Sequence, residues 1–88
     1  MSLAGDPVSW FMIEPGWKVV ASDGATVGSV AEVVGDEEND IFNGLAVATG
    51  LLGRARYVEA ERVARITDGC LELTLAKSDV SQLPEFQG

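Results

Sequence analysis

Hydrophobic and polar positions alternate in short runs from Gly16 onward. Turn residues break these runs roughly every 8–12 positions, a spacing that predicts a small barrel or sandwich of short strands. Trp17-Lys18-Val19-Val20-Ala21 reads as the first strand and residues 27–34 as the second. Asp23-Gly24 lies between them and supplies the positive φ that a tight hairpin needs. Gly28, inside the second run, predicts a bend or a close backbone approach. Residues 41–49 read as a third strand and residues 54–59 as a fourth, with a turn at Gly50-Leu51-Leu52-Gly53. Glu61 to Ile66 then leads into a second Asp-Gly turn at Asp68-Gly69.

The cleanest alternation is Cys70-Leu71-Glu72-Leu73-Thr74-Leu75-Ala76. It places Leu71, Leu73 and Leu75 on one face and Glu72 and Thr74 on the other. A short helical turn is expected to begin at Ser78, with Asp79 where the helix dipole favours an acid and Pro84 as its stop. No stretch offers the ten or more helical residues that an α/β crossover requires. The fold expected is therefore all-β: a small barrel of five to six short antiparallel strands, closed or nearly closed so that strand edges are hidden.

Residues 1–15 form an irregular arm ahead of the domain at 16–88, punctuated by Pro7 and Pro15. Between these prolines, Trp10-Phe11-Met12-Ile13 is an apolar run that fits either a short helix or an added edge strand. Four exposed apolar residues in a row are a liability, so the run is expected to pack on the barrel or on a partner.

Composition narrows the function. The chain has 88 residues, 14 acidic against 6 basic, for a net charge of −8. One domain and one core fit this length. The negative field opposes phosphate backbones and anionic lipid, so neither nucleic acid nor a membrane surface is an expected partner. There is no histidine, and Cys70 is the single cysteine. Histidine-dependent nucleophile sites, cysteine zinc cages and internal disulfides are thereby excluded. No run approaches the roughly 18 apolar residues of a membrane span, and the first residues lack the basic start and apolar stretch of a signal peptide. A cytoplasmic location is the expectation.

Gly16-Trp17-Lys18-Val19-Val20, Asp23-Gly24 and Val27-Gly28-Ser29-Val30 together resemble the first hairpin of PRC-barrel domains. Val58 to Ile66 with Asp68-Gly69, and the ending Lys77-Ser78-Asp79-Val80 with Leu83-Pro84-Glu85-Phe86, are similar to the rest of that family, so that the likeness covers residues 16–86. Many members carry a proline near the end of the fourth strand, where this chain reads Tyr57-Val58-Glu59-Ala60. The resemblance implies a β-barrel adaptor. Such domains form the cytoplasmic part of the photosynthetic reaction-centre H subunit and the C-terminal domain of a ribosome-maturation factor, and others stand alone. The family shares no catalytic residues, so the resemblance transfers none.

Trp10, Phe11, Met12 and Trp17 form one candidate interaction surface, because tryptophan is enriched at binding hot spots. The competing reading is that they cap the open end of the barrel. Arg54 and Arg56 share a strand face and form a second candidate, suited to carboxylate or phosphate. Pairing of Arg54, Arg56, Arg62 and Arg65 with Glu59, Glu61 and other nearby acids is the favoured alternative. The acidic loop Asp36-Glu37-Glu38-Asn39-Asp40 lacks the spacing of a calcium loop and reads as a solvated hairpin tip. Cys70 has no histidine to activate it and reads as a small structural residue.

These readings favour a non-enzymatic protein-interaction or scaffold module, self-associating as a homodimer or binding another protein, with no cofactor and no metal. A regulatory module that binds a small ligand or metal ion is the alternative. A hydrolase pairing acids of the 36–40 loop with Glu59 or Glu61 ranks below it, since so short a chain leaves little room for a deep cleft.

Overall fold

A computed structural model describes residues 9–50 and 55–86. Six strands form one curled, half-barrel sheet: β1 (Lys18–Val20), β2 (Thr26–Asp36), β3 (Ile41–Ala48), β4 (Arg56–Glu59), β5 (Val63–Thr67) and β6 (Cys70–Leu73). A 3-10 turn at Trp10–Met12 precedes them, another at Ala60–Arg62 joins β4 to β5, and a single helical turn, α1 (Lys77–Val80), follows β6. The all-β expectation holds, with the apolar run of the arm forming the short helix rather than an edge strand.

The sheet order is β4-β3-β2-β1-β6-β5. Four of its pairings are antiparallel, as expected, but β1 and β6 run parallel. This corrects the all-antiparallel reading, and the connection between β4 and β5 explains it. Each turn from β1 to β4 reverses the chain. If the β4–β5 connection also reversed it, β6 would oppose β1. Instead the chain passes through Ala60–Arg62 without reversing, so β6 follows the direction of β1.

The same connection requires the curl. Six strands laid flat at about 4.8 Å spacing would separate β4 from β5 by about 24 Å. The three-residue 3-10 turn spans at most about 14 Å. Register irregularities at Val19/Val20, Val30/Glu32, Val34/Gly35 and Val63/Arg65 help the sheet to bend, because bulges strengthen local twist.

Among the described residues the end strands β4 and β5 do not pair with each other, and the sheet is a curled half-barrel. The outer side of β4 is instead taken by the chain's last segment. Tyr57 N donates to Pro84 O at 3.0 Å, Phe86 N donates to Ala55 O at 2.7 Å, and Arg56 and Glu85 form an antiparallel bridge.

Both Asp-Gly turns form as expected, with Gly24 at φ 87° and Gly69 at φ 85°. Gly28 marks a close backbone approach: a Cβ there would strike the carbonyl of Ala48 on β3. The last strand is shorter than its alternation suggested. It ends at Leu73, and the carbonyl of Leu75 accepts from Ser22 N at 2.8 Å instead. The helical turn begins at Lys77, so Ser78 lies inside it and does not cap it.

The core gathers Ile13, Val19, Ala21, Val27, Val30, Leu45, Val47, Val58, Leu71, Leu73 and Val80. Leu71 and Leu73 are buried while Glu72 and Thr74 are exposed, as the alternation predicts. On β3 the alternation fails, because Leu45, Ala46 and Val47 are all buried. Ala46 points to the face opposite Leu45 and Val47. There it pairs with Tyr57, whose ring stacks on Phe86 at 6.1 Å.

Candidate functional site

The apolar run of the N-terminal segment divides by role. Ile13 enters the core. Trp10 is half-buried and packs against that core and the β2–β3 hairpin. Its ring stacks on Phe42 with centroids 5.2 Å apart and planes 11° apart. Its indole N–H donates to Asp40 Oδ1 at 2.9 Å. Gly35 leaves the room for the ring, since a Cβ there would lie about 3.0 Å from it. Ser9 caps the 3-10 turn by accepting from Phe11 N at 3.1 Å.

Phe11 and Met12 remain at the surface, 46% and 54% exposed. Phe11 meets Trp10 edge-on at 4.7 Å. The arrangement therefore holds two large apolar side chains outward on a turn whose other residues are anchored. Trp17 is half-buried against the core, its backbone N–H donates to Glu14 O and its carbonyl accepts from Val30 N at 2.9 Å. It is thus more buried than Phe11 and Met12.

The acids of the 36–40 loop are partly engaged with the protein itself. Asp36 accepts from Glu38 N at 3.0 Å and from Asn39 Nδ2 at 2.7 Å. These bonds, the Asn39 amide foremost, hold the Asp36 carboxyl below its ordinary value. Asp40 accepts from Trp10. The loop thus serves as an anchor for the N-terminal turn, a role that its composition did not reveal. Among the described residues, no three potential ligands converge on a metal position.

Of the arginine candidates, Arg54 lies outside the described residues. Arg56 is half-buried, and its Nη1 donates to Leu83 O at 2.9 Å. Arg65 stands opposite Glu72 in the β5–β6 register. Two clefts open around β4. One, of about 160 Å³, is lined by Val27, Thr49, Arg56, Lys77, Val80 and Ser81. The other, of about 200 Å³, is lined by Tyr57, Glu59, Arg62, Leu83 and Pro84. Neither brings two carboxylates together among its described lining residues. Lys77, Thr49 and the two valines were not legible as site residues, because only the packing of α1 beside β2 and β4 gathers them.

Cys70 is a half-buried free thiol whose Sγ lies 3.8 Å from Leu71 O. Among the described residues, no helix is long and apolar enough to cross a membrane. In comparison with known proteins, no family model matches the chain and no curated protein matches it significantly.

Proposed function

We propose that this chain is a cytoplasmic, non-enzymatic protein-interaction module of the PRC-barrel type, and that it self-associates through the face carrying Phe11 and Met12. The observation that carries this reading is the exposure of these two side chains on an anchored turn. Isolated exposed apolar residues are common on any protein surface. Here two consecutive ones follow Trp10, which is itself bonded to the β2–β3 hairpin, and this lowers the entropy lost on binding. A two-fold pairing would bury the same patch from both copies. The PRC-barrel reading rests on the residue likeness described above and is compatible with the curled six-stranded sheet.

Native mass spectrometry of the protein captured gently from its host extract tests the proposal. A species at twice the 9.3 kDa chain mass supports self-association. A reproducible complex with a second protein supports the interaction role but moves it to another partner. A bare monomer across a wide concentration range sinks the proposal.

A further inference from the structure

We infer that the cleft between β4 and α1 is a binding site for a carboxylate carried on a short apolar group. Its floor is apolar: Val27 and Val80 are both buried. Arg56, Lys77, Thr49 and Ser81 complete its described lining. The chain has 14 acids against 6 bases, yet two of those bases line this one cleft and none of its described lining residues is acidic. A local positive site within a negative molecule selects for an anion at close range.

The polar groups are arranged for that task. Arg56 is tied to Leu83 O at 2.9 Å, and its backbone is bridged to Glu85. A guanidinium has five N–H donors, and the bond to Leu83 O engages Nη1 alone. Its fork geometry suits a carboxylate, and its anchoring reduces the ordering cost on binding. Lys77 adds a second positive charge at the exposed start of α1. Ser81 Oγ donates to Ser78 O at 2.8 Å, so Thr49 is the better hydroxyl donor.

Size and floor define the rest of the ligand. The cleft has about 160 Å³. An apolar cavity of about 150 Å³ in another protein holds benzene, six heavy atoms. Inorganic phosphate would leave the valine floor without an apolar partner, whereas butyrate supplies both a carboxylate and a short alkyl chain. The same chemistry occurs at the free end of a peptide chain that closes on a small apolar residue.

Titration of the isotopically labelled full chain, followed by NMR at low ionic strength, tests the site with butyrate, butyramide and phosphate. Butyrate should give saturable shifts at the amides of Thr49 and Lys77 and at the methyls of Val27 and Val80. Butyramide, which lacks the charge, should bind at least about tenfold more weakly. Lys77→Gln, at an exposed position, should weaken butyrate about fivefold without altering the fold. Arg56→Gln should weaken it more than about tenfold. Equal shifts from butyramide, tighter binding of phosphate, or an unchanged affinity in Lys77→Gln would each overturn the inference. An N-acetylated peptide ending in valine separates the two sources. Tighter binding than butyrate supports the end of a protein chain, and its exclusion while butyrate binds supports a free acid.

Discussion

Trp10 donates its indole N–H to Asp40 across 30 residues of sequence, at 2.9 Å. The bond joins the N-terminal 3-10 turn to the tip of the β2–β3 hairpin, and the stack of Trp10 on Phe42 reinforces it. Asp40 also turns the chain, with φ at 54°, in the left-handed region that most side chains avoid. A single residue therefore serves both the turn and the anchor.

Substitutions at Asp40 separate these two roles. Asp40→Ala loses the acceptor and keeps a Cβ in the left-handed region, so it should destabilise by about 1–2 kcal/mol. Asp40→Gly loses the acceptor but relieves the backbone, and should fall within about 0.5 kcal/mol of wild type. Asp40→Asn keeps both an acceptor oxygen and tolerance of this φ, and should also remain close to wild type. Urea unfolding followed by tryptophan emission reads all three. An Asp40→Ala protein as stable as wild type would show that the anchor contributes nothing.

Gly28 and Gly50 should respond in opposite ways to alanine. A Cβ on Gly28 meets the Ala48 carbonyl on the neighbouring strand, and main-chain atoms cannot swing aside. Gly28→Ala should cost about 3 kcal/mol or prevent folding. A Cβ on Gly50 meets nothing within 4 Å among the described residues. Gly50→Ala should be neutral, or stabilising by up to about 1 kcal/mol through a less flexible unfolded chain. Thermal unfolding of the two variants checks the contrast, and equal losses at both sites would contradict it.

Local rules were enough to read much of this fold. Asp23-Gly24 and Asp68-Gly69 announced their turns because positive φ is a property of the residues themselves. Leu71 and Leu73 announced their burial because one face of β6 meets solvent. Sequence rules did not show the parallel pairing of β1 with β6, which depends on Ala60–Arg62 failing to reverse the chain. Nothing local to Ala60-Glu61-Arg62 encodes that. Nor did they reveal Asp40 as the partner of Trp10, or that Lys77 and Arg56 line one cleft. Each of those pairs is made by tertiary packing between segments distant in sequence.

Leu45 and the exposed pair Phe11 and Met12 predict a separation of stability from association. Leu45 is fully buried in the centre of the sheet. Leu45→Ala should cost about 2–5 kcal/mol, through lost burial and the cavity left behind. The double change Phe11→Ser with Met12→Ser touches side chains about half exposed. It should alter stability by only about 0.5 kcal/mol while abolishing self-association. Sedimentation velocity and thermal unfolding on the same samples make the comparison. A double variant that self-associates like wild type would remove this face from the proposed interface.

The hairpin tip should respond to acid through Asp36. Its carboxyl is held below its ordinary 3.8, first by the Asn39 side-chain amide, opposed in part by lost hydration, and then by the backbone N–H groups of Glu38 and Asn39. A depressed carboxyl stabilises the folded loop above its unfolded pKa, and that contribution is lost as pH falls through the lower, folded value. The tip should therefore stay ordered at neutral pH and loosen only at strongly acidic pH. Because Asp40, in the same tip, receives the Trp10 indole, this loosening should also reach the N-terminal turn. An NMR titration of the Asp36 carboxyl carbon should show a midpoint below 3.8 in wild type. Asn39→Ala removes the leading cause and should move that midpoint upward, toward the ordinary value. A midpoint that stays in place after this substitution would show that the Asn39 amide does not hold the charge, and that the backbone N–H groups do so alone.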